Sequence, residues 1–175
     1  MLLQYHNLSI RNAVPEDAPC LSRWWNDGRV MAHAGFPLGL QETVQTIADS
    51  LRMDNDMHRR LILLCSNQPI GEMSYRIKEQ STAEIGIKIC DFSQQNKGYG
   101  KIYLSLLITA LFDTMGCDRI VLDTNVTNLR AQHVYEQLGF QRTGTRRNCW
   151  QDQLGNLQSA VDYSLTREQF VTYLF

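Results

Sequence analysis

No apolar run in this 175-residue chain approaches the roughly 20 residues that cross a bilayer. The opening MLLQYHNLSIRN is too short and too polar for a secretory signal. No membrane partner is expected. Charge of one sign is also lacking: 17 Lys and Arg against 18 Asp and Glu leave a formal net charge of −1. A nucleic-acid binder usually shows a basic face, so no nucleic-acid partner is expected either. Cysteines are few. Cys20, Cys65, Cys90, Cys117 and Cys149 are scattered, odd in number and never spaced as C-x-x-C, a pattern that suits reduced thiols better than a disulfide framework or a zinc site. They read as reduced thiols packed like small hydrophobes in a cytoplasmic protein, with no metal. Repeats, low-complexity tracts and linkers are absent, and the length fits one domain over residues 1–175 with a single sizeable core.

What is there is an alternation of elements. LSIRNA alternates apolar and polar residues and reads as a first strand. Pro15 opens a helix that runs to about RWWND, and Gly35, Pro37 and Gly39 mark a loop. LQETVQTIADSLRM carries Leu40, Val44, Ile47 and Leu51 at helical spacing. RRLILLCSNQPIGEMSYRIK reads as two strands turning at SNQP, and TAEIGIKI as a third. A long helix over 98–115, a strand at DRIVLDT and a helix at NLRAQHVYEQL, ended by Gly139, follow. FQRTGTRRNCW and LQSAVDYSL flank QDQLGN as a final hairpin, and TREQFVTYL reads as a short helical tail. This order predicts an α/β (α+β) fold whose mixed sheet has about seven strands. It is parallel where strand, helix and strand succeed one another over 83–123 and antiparallel at the hairpins.

Gln95-Asn96-Lys97-Gly98-Tyr99-Gly100 lies between a strand and a helix. Glycine lets successive N–H groups turn inward and lets a ligand approach closely. The helix start adds unpaired N–H groups and the positive end of the dipole, a ready site for a diphosphate. Lys97 and Lys101 can add charge at its rim. A strand-to-helix turn that merely needs flexibility is the alternative. G-x-x-x-x-G-K-[ST] is absent, and no third glycine completes G-x-G-x-x-G.

Downstream stands NLRAQHVYEQLGF. Read with the loop, the chain resembles the GCN5-related N-acetyltransferase (GNAT) superfamily. Gln95, Gly98 and Gly100 fill its Q/R-x-x-G-x-G/A loop, and Asn128, Ala131, Tyr135, Gly139 and Phe140 match its second segment position by position. The two motifs cover about residues 83–140, and the element order extends the likeness over nearly the whole chain. The look is closest to ribosomal-protein N-terminal acetyltransferases and their small-amine relatives. Asn96 departs from a position where the family commonly has glycine, but Asn tolerates a left-handed conformation.

The resemblance implies acetyl-CoA as acetyl donor, held at Ile87, Ile89, Gln95, Asn96, Lys97, Gly98, Tyr99, Gly100, Lys101 and Asn128. It places an oxyanion donor on strand backbone around Ile87 to Ile89. It implies Tyr135 as the acid that protonates the leaving thiolate, with an ordinary packed aromatic as the alternative. His133 is turned away from Tyr135's helix face and reads as surface. Glu84, on the strand face opposite Ile85 and Ile87, can serve as base for the amine or stand as a solvated strand charge. Asn128 also reads as a helix cap. Trp24, Trp25 and Asp27 set aromatics beside a carboxylate, which suits a cationic amine at Trp25 and Asp27, although core packing accounts for at least one tryptophan. The acceptor expected is a small-molecule amine or a peptide N-terminus, and the chain is expected as a monomer or homodimer. The competing reading is a non-catalytic acyl-CoA-binding sensor or interaction domain.

Overall fold

The computed structural model describes residues 1–79 and 81–175. The strands are β1 (Leu2–Tyr5), β2 (Leu8–Asn12), β3 (His58–Cys65), β4 (Gln68–Lys78), β5 (Thr82–Ile89), β6 (Arg119–Asn125), β7 (Gln141–Gln151) and β8 (Leu157–Thr166). The helices are α1 (Ala18–Trp25), α2 (Gly28–Met31), α3 (Val44–Arg52), α4 (Tyr99–Asp113) and α5 (Leu129–Gln137). The strands form one mixed sheet in the order β1-β2-β3-β4-β5-β6-β8-β7.

The sheet has eight strands, one more than the sequence pattern predicts. The extra one is β1, which folds back on β2 through His6 and Asn7, with Leu2 opposite Arg11 and Tyr5 opposite Leu8. At the turn read as SNQP, Ser66 and Asn67 both take positive φ (48° and 65°), the backbone of a tight two-residue hairpin. The first helix stops earlier than expected. Asn26 ends α1, and the Asp27 side chain accepts a hydrogen bond from the Arg29 amide to cap α2. Likewise α3 begins only at Val44, because Thr43 caps it through the Thr46 amide at 3.1 Å.

The expected tail helix is a single 3-10 turn over Arg167–Gln169. Its later amides find partners elsewhere: Val171 donates to the Leu138 carbonyl and Tyr173 to Ser105 Oγ, both at 3.0 Å. Backbone donors satisfied across the core have no need of a helical ladder.

The two faces of the sheet carry different layers. Leu61, Leu63, Met73 and Ile85 face α4, whose Tyr103, Leu104, Leu107, Ile108 and Leu111 are buried among them. Ile62 and Leu64, one residue out of phase, face Leu21, Trp24 and Trp25 of α1 and Ile47 and Leu51 of α3.

Candidate active site

The sheet parts in its middle. β5 pairs with β6 in parallel only at Thr82–Arg119, Ala83–Ile120 and Glu84–Val121. Beyond that point β5 runs on to Ile89 against β4, and β6 runs on to Asn125 against β8. The edge of β5 from Ile85 onward is therefore unpaired with β6 and faces a gap. A cleft of about 1090 Å³ opens there. Its walls include Ile85–Ile89 of β5, the glycine loop, Asp123–Asn125 of β6, one face of α5, and Arg29, His33 and Trp150.

The glycine loop is built to be open. Gly98 is the N-cap of α4 at φ 78°, a backbone that disfavours any side chain. A Cβ placed on Gly98 or Gly100 would meet nothing within 4 Å, so space lies over both. Asn96 takes φ 61°, the left-handed conformation asparagine tolerates. The Gln95 side chain donates to the Ile89 carbonyl at 2.8 Å and accepts from Arg130 Nη1 at 2.9 Å. Arg130 reaches Asn96 Oδ1 at 3.5 Å as well, tying the loop to α5. Asn128 caps α5 through the Ala131 amide at 3.3 Å and lines the cleft.

Tyr135 is buried on the cleft floor, its ring edge-on to Phe140 and Tyr163, each at 5.8 Å. Burial, with added repulsion from Asp123 and Tyr163, pushes its hydroxyl pKa well above the ordinary tyrosine value. Among the described residues, no hydrogen bond holds that hydroxyl.

Ile87, Ile89, Gln95, Asn96, Gly98, Tyr99, Gly100, Lys101, Asn128 and Tyr135 thus share one cleft. Four expected residues lie outside its lining. Glu84 sits where β5 still pairs with β6 and is ion-paired with Lys78. Lys97 is exposed and bonds Gln94 at 2.9 Å. Trp25 is buried under α1, donating Nε1–H to Glu72 at 2.9 Å. Asp27 caps α2 and holds the Arg29 guanidinium at 2.7 Å. In this structure the Trp25 ring is taken up by helix packing and the Asp27 carboxylate by capping, both away from the cleft lining. His133 is exposed, as expected, but lines the cleft.

Other groups carry weaker sequence signals. Asp123 lines the cleft, fixed by Arg146 at 2.5 Å, which also holds Asp162. Its place at the end of a strand flanking the split is visible only once the split is known. Glu72 is a buried carboxylate under Lys88 and Arg60. Burial alone would raise its pKa, but the charges of Lys88 and Arg60, with hydrogen bonds from Trp25 and Arg60, hold it below the ordinary glutamate value.

A family model for the acetyltransferase (GNAT) domain matches residues 7–141. The chain belongs to the GNAT family. A curated relative, N-alpha-acetyltransferase 30 of Dictyostelium discoideum, is 32% identical over 81 residues, 45% of this chain and 43% of that protein. The chain thus matches less than half the length of that relative. Among solved structures, spermidine N-acetyltransferase from Vibrio cholerae in complex with CoA and spermine has a TM-score of 0.84 at 19% identity, covering 94% of this chain and 98% of that one. RimL, the ribosomal L7/L12 alpha-N-protein acetyltransferase in complex with coenzyme A, has a TM-score of 0.85 at 18% identity, covering 95% and 98%. These structures share the GNAT fold with this chain. No helix among the described residues is long and apolar enough to cross a membrane. No group of three or more metal-ligating side chains occurs among them either.

On the far side of this GNAT cleft, the β7–β8 turn is clasped to the loop after α2. Gln153 donates its amide to the Gly35 carbonyl at 2.8 Å and its side chain to the Gly39 carbonyl at 2.9 Å, and accepts from the Leu38 amide at 2.9 Å. Trp150 packs where a Gly35 side chain would stand, 2.3 Å from its Cβ position. Gln153→Ala is expected to remove two of these bonds and release residues 35–39 by about 1–3 kcal/mol locally. Amide exchange at Leu38 should accelerate accordingly, with Tm little changed.

Proposed function

We propose that this chain transfers the acetyl group of acetyl-CoA to a primary amine, either a peptide N-terminus or a small amine. The observation that carries this reading is the parting of β5 from β6 beside an open, glycine-headed helix, with Tyr135 on the floor of the gap. The loop amides around Gly98 and Gly100, backed by the α4 dipole, would hold the pyrophosphate. Arg130 and Lys101 supply positive charge close by. Asn128 adds a polar contact on the α5 side.

Bound there, acetyl-CoA supplies a thioester with a thiolate leaving group. The free edge of β5 around Ile87 to Ile89 presents backbone N–H groups where negative charge develops on the thioester oxygen. Tyr135 stays protonated at neutral pH, because burial disfavours its anion, and it gives a proton toward the departing sulfur. Both carboxylates are ion-paired, Asp123 through Oδ2 to Arg146 and Glu84 to Lys78, but Asp123 alone of the two lies on the cleft wall, where it can accept the amine's proton directly or through water. The Glu84 carboxylate is engaged by Lys78 away from the cleft.

The test is release of CoA thiol from acetyl-CoA in the presence of mixed amines, run beside a thermal melt. Acetyl-CoA at 100 times its Kd should raise stability by about 2.7 kcal/mol. For a chain of this size that is about 5–10 °C in Tm. A raised Tm with no thiol release from any amine would favour the non-catalytic acyl-CoA-binding reading. No Tm shift would remove acetyl-CoA as the ligand.

A further inference from the structure

We propose that the acceptor is a primary amine carrying an anionic group a few bonds from its nitrogen, and that Lys88 receives that group. The proposal rests on the acetyl-transfer reading above and narrows its acceptor. It starts from the charges on the cleft wall. Arg29, Lys88, Lys101 and Arg130 line it, with His33 and His133. Among the described residues, Asp123 is the one carboxylate in that lining, and it is already bonded to Arg146.

These charges divide between the two faces of the sheet. Lys101 and Arg130 belong to the α4 and α5 side with the glycine loop, where Arg130 bonds Gln95 and Asn96. Lys88 does not. On β5 it stands directly opposite Glu72 of β4, on the sheet face covered by α1. The surplus charge arises there. Glu72 is 3% exposed and receives Arg60 at 2.5 Å, Trp25 Nε1 at 2.9 Å and Lys88 at 3.5 Å. Two full cations thus share one carboxylate. Arg60 is drawn inward, its guanidinium 4.4 Å from the centre of the Trp25 ring. Lys88 keeps the looser contact, and its side chain is 34% exposed. An ammonium has three donors. The buried cluster therefore presents its uncompensated positive charge through Lys88. Arg29 adds no net surplus, being paired with Asp27.

Two consequences follow for the acceptor. A polyamine brings several positive charges into a wall with one carboxylate already engaged, so it is repelled. A carboxylate or phosphate beside the reacting amine finds a partly desolvated ammonium anchored from behind, where a charge-assisted hydrogen bond is strong. The same cation disfavours the protonated form of a nearby acceptor amine, which must be neutral to attack.

The experiment measures kcat and KM by thiol release at saturating acetyl-CoA. The panel holds three peptides differing only in an acidic, neutral or basic second residue, free acidic and neutral amino acids, and spermidine. The acidic peptide or the free amino acids should exceed the neutral peptide in kcat/KM by about ten-fold, with spermidine lowest, as expected where a single charge pair forms or is opposed. Preference for acidic peptides assigns the anion to a peptide, and preference for free amino acids assigns it to a small molecule. Lys88→Met should erase the gap between acidic and neutral acceptors mainly through KM, and Lys88→Glu should invert it. If Lys88→Glu does not fold beside Glu72, Lys88→Met alone decides. Best turnover with spermidine, or an unchanged ranking in folded Lys88→Met, overturns the proposal and leaves acetyl transfer standing. No turnover with any amine overturns the transfer reading itself, and this proposal with it.

Discussion

Gly98→Val should abolish acetyl-CoA binding in a chain that still folds. Gly98 sits at φ 78° as the N-cap of α4, and an added Cβ meets no protein atom within 4 Å. The added Cβ therefore meets no clash, and backbone strain costs about 1–2 kcal/mol, against a typical total stability of about 5–15 kcal/mol. The side chain instead fills the open space above the loop amides. Losing two charge-assisted hydrogen bonds from those amides to a pyrophosphate would cost about 3–6 kcal/mol. That corresponds to about 10² to 10⁴ in Kd. Calorimetry with acetyl-CoA measures this directly, and an unchanged Kd would remove the loop from the cofactor site. Gly100→Ala is a milder companion whose two effects oppose one another. Gly100 lies in the first turn of α4 without positive φ, so alanine should hold or raise stability by up to about 1 kcal/mol. The same methyl group stands over the site, so affinity should fall while Tm does not.

How much of this is legible in the sequence depends on whether a signal is local. The hairpin at Ser66–Asn67, the helix stop at Gly139 and the glycine loop are short-range patterns, and each appears where its residues predict. β1 escapes the pattern because Leu2–Tyr5 is too short to show a period and is a strand only by pairing with β2. The tail helix fails for a tertiary reason, since its amides bond Leu138 and Ser105 across the core. In the cleft, the motif residues are legible because they cluster in two segments. Glu84 misleads because alternation gives a residue's face but not its distance along the strand from the split. Glu84 stands at the last paired position, short of the gap. Trp25 and Asp27 are neighbours of chemically suggestive type, but what each side chain touches is set by Glu72 and Arg29. Arg130, Asp123 and Lys88 act through partners 12 or more residues away, which no local pattern encodes.

Tyr135→Phe should leave acetyl-CoA affinity intact and lower kcat by about 10² to 10³, within the range typical of a general acid. The ring is held edge-on between Phe140 and Tyr163, each at 5.8 Å, and phenylalanine keeps both contacts. The hydroxyl has no hydrogen-bond partner among the described residues, so removing it breaks no bond of the fold. Stability should therefore hold, because the hydroxyl faces the cleft and anchors no other element. Loss of turnover without loss of Tm separates a chemical role from a packing role. The burial that raises the hydroxyl's pKa has two consequences for the reaction. It keeps the proton on oxygen until sulfur develops charge, and it limits the water able to replace the donor. The interaction strengthens only as negative charge grows on sulfur, so the loss should fall on kcat and kcat/KM together rather than on acetyl-CoA binding. Steady-state kinetics with a working acceptor, beside calorimetry and a thermal melt of the same variant, measure all three quantities. A variant with unchanged kcat would make Tyr135 a packing residue and move the proton donor to water or another side chain.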